Sequence, residues 1–178
     1  MRARVRLLML ALCGLGAAGG CAAPLRPAPE VPAQAARQSS LPAIPLTTLD
    51  GKSQRLESLL GGRPALISLW ATWCEACVAE QPALDRLRMK AAQLGAAVVA
   101  VAVGEPHDKV AAQVRWRGLT GAQLVDEQFQ FADALGQRRV PATLVIDRQG
   151  RITFVGGALD ASALAALRAA LDARIAHR

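Results

Sequence analysis

The sequence contains few of the residues from which metal and haem sites are built. Its 178 residues include four cysteines and two histidines. A structural zinc site usually takes four Cys or His ligands, and neither His107 nor His177 has a partner at ligand spacing. Covalent haem attachment needs a histidine directly after a Cys-x-x-Cys pair, but Cys77 is followed by Val78. We therefore expect neither a metal site nor attached haem.

Aromatic residues and long basic runs are also scarce. Tyrosine is absent and aromatic residues make up 3% of the chain, although its net charge is +7. Nucleic-acid-binding surfaces collect lysine and arginine on one face, whereas the basic residues here are scattered along the chain. We interpret them as part of a solvated surface and expect no nucleic-acid partner.

The amino terminus lacks an apolar run of the ~20 residues that a membrane span needs. Three arginines within residues 2–6 precede a short apolar stretch, 7–12, and small residues then lead to Gly20. A charged region, a short apolar core and a small-residue region form a bacterial secretory signal. The pattern predicts that the protein is exported.

The end of this signal resembles a lipoprotein signal, in which small residues stand directly before a lipidated cysteine. Here Ala18-Gly19-Gly20 precede Cys21, although a large aliphatic residue usually stands at the position of Ala18. We expect lipidation of Cys21 and a membrane tether. Ordinary signal cleavage, which would give a soluble exported protein, is the alternative.

Composition divides the chain into three segments. Residues 1–21 form the signal, and residues 22–40, rich in Pro, Ala, Gln and Ser, predict a flexible linker that cannot bury a core. Residues 41–178 are numerous enough for one domain with a core. Export would place this domain in the periplasm, where disulfides form and are managed.

From residue 41 onward, apolar runs alternate with segments of helical periodicity. Strands are expected at 44–49, 65–71, 96–103, 123–125, 143–147 and 152–155. Helices are expected at 56–60, 74–94, 107–116 and 128–135, and after Asp160. The alternation, followed by a hairpin and a final helix, predicts an α/β domain with a central mixed sheet flanked by helices.

The most informative motif is a Cys-x-x-Cys pair between the buried strand 65–71 and the following helix. Its position puts Cys74 at a helix N-terminus, where unpaired N–H groups and the helix dipole favour a thiolate. Cys77, one turn further, can resolve a mixed disulfide. A structural disulfide across so short a loop would constrain the unfolded chain little. We therefore predict a redox pair, with Cys74 the more exposed nucleophile and Cys77 the more buried resolving thiol.

Glu75 lies between the two cysteines. Its negative charge opposes a thiolate and is expected to raise the pKa of Cys74. That favours a reductant over a strong oxidant, whose reduced thiolate is stabilised. The opposing interpretation is that Glu75 points into water and is screened.

Three motifs together resemble the thioredoxin-like fold and, within it, the TlpA/ResA/CcmG-like branch of exported thiol–disulfide oxidoreductases. They are the segment 69–77, the segment Glu80-Gln81-Pro82-Ala83-Leu84, and the segment 140–150. The resemblance covers nearly all of residues 41–176. It implies a thioredoxin-like fold with a strand-helix insertion, placed at 96–135, between the βαβ and ββα halves.

The resemblance also implies functions for single residues. Pro141 should follow a cis peptide bond and face the cysteines, leaving the backbone of Val140 open to pair with an extended substrate segment. Glu80 should accept a proton or tune a pKa at the active site. Trp73 should cover the site with an apolar side chain and, with Glu75, contact substrate.

Three further residues depart from the patterns expected of the family. Ser68 stands where thioredoxin has a buried aspartate that moves a proton, a task that serine cannot perform at neutral pH. Arg138 and Arg139 stand where an apolar and a small residue are more usual. They place positive charge at the rim of the substrate groove or belong to an ordinary basic loop.

The activity implied by the resemblance is reduction of disulfides in partner proteins, with no cofactor besides the cysteine pair. The implied substrates are apocytochrome c or proteins of copper-site and oxidase assembly, and a membrane electron donor of the DsbD/CcdA kind would re-reduce the pair. We expect a monomer. Three other functions stay open: a dithiol oxidant, a thiol peroxidase with a Pro and Thr arrangement around its nucleophile, and a Cu(I)-binding or delivery module.

Overall fold

The computed structural model describes residues 40–173. The signal segment, the Cys21 lipidation site, residues 22–39 of the linker and His177 lie outside this range, so the expectations about them stay predictions. Within the range, no helix combines the length and the hydropathy that crossing a membrane requires.

Seven strands and five helices follow one another within residues 40–173, largely in the predicted order. The strands are β1 (Leu46–Thr48), β2 (Ser53–Gln54), β3 (Ala65–Trp70), β4 (Ala97–Val103), β5 (Ala122–Asp126), β6 (Ala142–Ile146) and β7 (Ile152–Gly156). The helices are α1 (Leu56–Leu60), α2 (Glu75–Gln93), α3 (His107–Arg117), α4 (Gln130–Ala134) and α5 (Ala161–Asp172). The two-residue strand β2 is the element that the sequence pattern did not predict.

All seven strands join one mixed sheet in the order β2-β1-β5-β4-β3-β6-β7. β3, β4 and β5 are parallel, whereas β6 is antiparallel to β3 and β7 is antiparallel to β6. The predicted fold class is therefore confirmed: β3-α2-β4 is the βαβ half and β6-β7-α5 is the ββα half. The insertion is shorter than the predicted 96–135, because β4 belongs to the first half and only α3, β5 and α4 stand between the halves.

The two central strands carry the core on both faces. Every residue of β3 is buried, as is every residue of β4 after Ala97. Leu66 packs into an apolar cluster with residues of α2 and α5, whereas its neighbour Ile67 packs into a second cluster on the other face of the sheet. A strand covered on both faces needs apolar residues at successive positions. This explains why both strands can be recognised as continuous apolar runs.

The chain leaves β4 through a glycine that no other residue could replace without strain. Gly104 has a φ of +70°, and its N–H donates to the carbonyl oxygen of Asp126 at 2.8 Å. A Cβ atom at this position would lie 1.9 Å from the ring of Phe129. Gly104 therefore fixes the path of the loop that carries Glu105 toward α3.

His107, the first residue of α3, is not the surface residue that the sequence suggested. Its side chain is 20% exposed, and Nε2 lies 3.0 Å from the carbonyl oxygen of Thr48 at the end of β1. Nδ1 lies 3.0 Å from a carboxylate oxygen of Asp108, and this hydrogen bond raises the pKa of His107. The ring connects the start of α3 to β1, which is a structural function.

We expect Gly104→Ala to lower the free energy of unfolding by about 2–5 kcal/mol, because a positive φ costs about 1–2 kcal/mol and overpacking about 1–3 more. Gly118→Ala is the matched control, since Gly118 has a φ of +62° but nothing lies within 4 Å of an added Cβ. It should lose only the first part. Urea unfolding measures both variants, and equal losses would contradict the close approach of Phe129 to Gly104.

Candidate active site

The two cysteines of the motif are joined by a disulfide, with their Cα atoms 5.2 Å apart. Cys74 directly precedes α2 and caps it: its backbone is extended, and its Sγ accepts a hydrogen bond from the N–H of Cys77 at 3.2 Å. The sulfur of Cys74 thus lies at the end of a helix whose unpaired N–H groups and dipole stabilise negative charge. Cys74 is 7% exposed and Cys77 is 1% exposed, in the predicted order.

An apolar cluster supports the disulfide from below. Trp70, at the end of β3, is fully buried in it together with both cysteines, and α3 contributes Val110 and Val114. Trp70 is therefore a core residue. Because the cluster is closed by side chains from several elements, it holds the start of α2 against the sheet.

Val140 and Pro141 lie just before β6. The peptide bond between them is cis, as the resemblance implied, and both residues are half-buried. The ladder between β3 and β6 begins with Ala142 opposite Leu69, so Val140 and Pro141 lie outside it. Val140 also packs against the cluster that contains both cysteines. The structure thus brings this predicted substrate-binding residue to the redox pair.

The side chains that flank Cys74 in sequence point outward. Trp73 is 64% exposed, so the expectation that it forms an apolar cover over the site is wrong, and its ring is instead available at the surface. Glu75 is exposed in the first turn of α2. Water and salt therefore weaken the effect of its charge on Cys74, as the opposing interpretation stated.

Glu80 is a half-buried carboxylate on α2, three residues beyond Cys77 and therefore close to the same face of the helix. Its Oε1 accepts the N–H of Leu159 at 2.8 Å, while Oε2 is buried and has no hydrogen-bond partner among residues 40–173. Burial raises the pKa of Glu80, and the single bond from Leu159 only partly opposes that rise. Glu80 can therefore hold and release a proton near the cysteines.

A second carboxylate, which the sequence analysis missed, fixes the segment before Cys74. Glu105 is 3% exposed and accepts both the N–H of Thr72 at 2.5 Å and its hydroxyl at 2.6 Å. The ammonium group of Lys109 donates to the same carboxylate at 2.5 Å. Burial raises the pKa of Glu105, but the hydrogen bonds from Lys109 and Thr72 outweigh it and set the pKa below its ordinary value.

The meeting of Thr72 and Glu105 follows from the sheet. β3 and β4 are parallel neighbours, with Trp70 opposite Ala102, so the residues that follow the two strands emerge at the same edge. Functional residues of open α/β sheets commonly lie just beyond the carboxyl ends of the strands. That rule was the available signal for Glu105, once β3 and β4 had been placed side by side.

The remaining candidates contribute less. Ser68 is buried within β3, opposite Thr143 of β6. Arg138 pairs with Asp133 at 2.9 Å on an exposed part of the surface, which favours the interpretation as an ordinary basic loop. Arg139 is exposed beside it.

Comparison with known proteins agrees with this geometry. ResA of Geobacillus thermodenitrificans, named a thiol-disulfide oxidoreductase, is 32% identical over 114 residues, which cover 64% of this chain and 65% of that protein. DsbE of Pasteurella multocida, named a thiol:disulfide interchange protein, is 34% identical over 119 residues, covering 62% of each chain. The chain therefore matches less than two thirds of the length of these curated relatives.

The solved structures include a thioredoxin-like protein from Porphyromonas gingivalis, which superposes with a TM-score of 0.66 at 25% identity, covering 78% of this chain and 95% of that one. This match supports the thioredoxin-like fold that the sequence predicted. A family model, described as the AhpC/TSA family, matches residues 35–155, well over half of the sequence. The chain thus belongs to the AhpC/TSA family, among whose members its relatives include the thiol–disulfide oxidoreductases ResA and DsbE.

Proposed function

We propose that this protein is an exported protein-disulfide reductase that works by dithiol/disulfide exchange at Cys74 and Cys77. The observation that carries the proposal is the hydrogen bond from the N–H of Cys77 to Sγ of Cys74, at the capping position of α2. In the reduced protein the same N–H and the helix dipole would stabilise a Cys74 thiolate, which is the reactive form of a cysteine.

The exchange proceeds in two steps. The Cys74 thiolate attacks one sulfur of a partner disulfide, an S–S bond joins the two proteins, and the other partner sulfur leaves as a thiolate that takes a proton. Cys77 then loses its proton and attacks Sγ of Cys74, releasing the second partner sulfur as a thiol. Two electrons and two protons pass to the partner, and the Cys74–Cys77 disulfide remains.

Glu80 is the group best suited to take the proton from Cys77 in the second step. Its raised pKa brings proton uptake closer to neutral pH than an exposed carboxylate would allow. Ser68 cannot replace it, because a buried serine hydroxyl does not ionise in this range. Glu80 thus fills the place that an acidic residue at position 68 would otherwise take.

Glu105 acts as a positioning residue. By holding both the N–H and the hydroxyl of Thr72, it fixes the backbone two residues before Cys74. Side chains held by several hydrogen bonds keep a site near its reactive geometry. The same contacts weigh against a thiol peroxidase, because the hydroxyl of Thr72 already donates to Glu105 and is not directed at a peroxide.

The names of the relatives support disulfide-bearing proteins as substrates. We extend the proposal, on the family resemblance, to apocytochrome c or to proteins of copper-site and oxidase assembly. A membrane donor of the DsbD/CcdA kind would return the oxidised pair to the dithiol, and a lipid on Cys21 would keep the protein near that donor in the periplasm. The secretory signal at the amino terminus supports this location.

The exchange mechanism predicts different outcomes for the two cysteines. Cys74→Ser should abolish reduction of insulin disulfides, because no nucleophile remains. Cys77→Ser should instead accumulate a mixed disulfide through Cys74, because resolution fails. Mass spectrometry of the protein after mixing with oxidised insulin measures both. Equal trapping by the two variants, or tight Cu(I) binding by the wild type without any disulfide reduction, would contradict the proposal.

The direction of electron flow is tested by the reduction potential of the pair, equilibrated against dithiothreitol or glutathione. We expect a value near or below about −270 mV, the range of a cellular reductant. A value near about −120 mV, typical of a strong periplasmic oxidant, would make the protein a disulfide donor instead.

The two carboxylates should affect stability with opposite dependence on pH. The pKa of Glu105 is lowered in the fold, so it stabilises the protein above the ordinary value of 4.5, and this contribution is lost as the pH falls through the lowered pKa. Glu105→Gln should therefore cost about 2 kcal/mol near neutral pH. The pKa of Glu80 is raised, so the protein loses stability as the pH rises from 4.5 through the raised pKa.

Glu80→Gln should remove that loss and be at least as stable as the wild type near neutral pH. Each variant is the matched control for the other, since both replace a buried or half-buried glutamate by its amide. Urea unfolding at acidic and neutral pH gives the comparison. Equal destabilisation by the two substitutions at neutral pH would show that their environments do not differ as described.

A further inference from the structure

We propose that a groove between α2 and the end of α3 is a polypeptide-binding subsite, in which Gln81 pairs with a peptide group of the partner and Trp116 receives one of its apolar side chains. The inference rests on the proposed function and names a second surface that the disulfide partner would touch. It is separate from the surface around Val140, which lies at the start of β6.

The groove is continuous with the redox pair. It has a volume of about 320 Å³, and its lining includes Val78, the residue after Cys77, and Leu119, just beyond α3. Leu119 also packs against the apolar cluster that contains Cys74 and Cys77. A polypeptide whose sulfur reaches Cys74 therefore has to cross only one turn of α2 to enter the groove.

Gln81 gives the groove a specific polar partner. It lies one turn of α2 beyond Cys77 and is only 3% exposed, yet it lines the groove. Neither its Oε1 nor its Nε2 has a hydrogen-bond partner among residues 40–173. Buried polar atoms are nearly always paired, and an unpaired amide is costly. A structure that retains such a group at a surface groove indicates a ligand that pairs with it.

The chemistry of Gln81 selects the ligand. A primary amide offers both an acceptor and donors, which matches the N–H and C=O of a peptide unit. The charges around the groove are already engaged: Asp85 accepts from Arg88 and from the hydroxyl of Thr120. The occupant is therefore an uncharged stretch of polypeptide backbone.

Trp116 provides the apolar part of the subsite. It is 75% exposed in the last turn of α3, and the guanidinium of Arg117 lies 5.0 Å from the centre of its ring. Exposed tryptophans are strongly enriched among residues that dominate protein–protein binding energy. The ring borders the same groove as Gln81, so one bound segment can pair its backbone with the amide and pack a side chain on the indole.

The test compares two disulfides that differ only in the presence of polypeptide. The reduced protein is mixed with hydroxyethyl disulfide, or with a disulfide-bridged Cys-x-x-Cys peptide that carries flanking residues on both sides. We expect the ratio of the peptide rate constant to the small-disulfide rate constant to fall about fivefold in Gln81→Met. It should fall at least about tenfold in Trp116→Ala. Met89→Ala is the control, because Met89 is similarly exposed on α2 but does not line the groove, and its ratio should not change.

Thermal unfolding separates a binding role of Gln81 from a structural one. Methionine keeps the length of the side chain and removes both unpaired atoms, so Gln81→Met should leave the unfolding midpoint unchanged or raise it. A midpoint lowered by several degrees would mean that the amide is paired inside the folded protein, and would overturn the subsite.

The rate measurements also distinguish the two proposals. If the wild type reduces neither disulfide, the proposed reductase function fails, and the subsite fails with it. If the wild type reduces both disulfides and the ratio is unchanged in Gln81→Met and Trp116→Ala, the reductase stands and only the subsite is wrong.

Discussion

The parallel pairing of β3 with β4 is the constraint on which the active site depends. It sets Trp70 opposite Ala102, so the loops that leave the two strands start side by side. One loop carries Thr72 toward the cysteines, and the other carries Glu105 through the tight passage at Gly104. The carboxylate then closes the gap by binding Thr72. The register of two buried apolar strands, therefore, determines where a helix begins and where its capping sulfur lies.

The two carboxylates nearest the redox pair have different functions because their partners differ. Glu105 has three hydrogen-bond donors and stays ionised, which makes it a fixed anchor. Glu80 has one donor and a buried, unpaired oxygen, so its charged form is poorly stabilised and a proton can come and go. Two glutamates of the same chain thus provide rigidity and proton exchange through the number of groups that meet each side chain.

Sequence patterns sufficed for whatever depends on neighbouring residues. The strand before the motif, the start of α2 at Cys74 and the hairpin before α5 follow from local periodicity and turn residues. Glu105 could not be identified in this way, since it meets Thr72 across 33 positions through sheet register. The exposure of Trp73 and the burial of Gln81 depend on how α3 packs beside α2, which no local pattern encodes. The inserted segment was overestimated because an apolar strand does not reveal which half of the fold it joins.

The sheet also ends in a way that protects the protein from its own kind. One margin of the sheet is β2, which is only two residues long, and the other is β7, where Gly156 interrupts the row of side chains. Short or irregular edge strands offer an approaching chain few backbone groups with which to extend a ladder. A protein whose task is to meet unfolded, disulfide-bearing polypeptides must avoid being drawn into their aggregates. These edges leave side-chain contact, rather than strand addition at the sheet margin, as the main route by which another chain can attach.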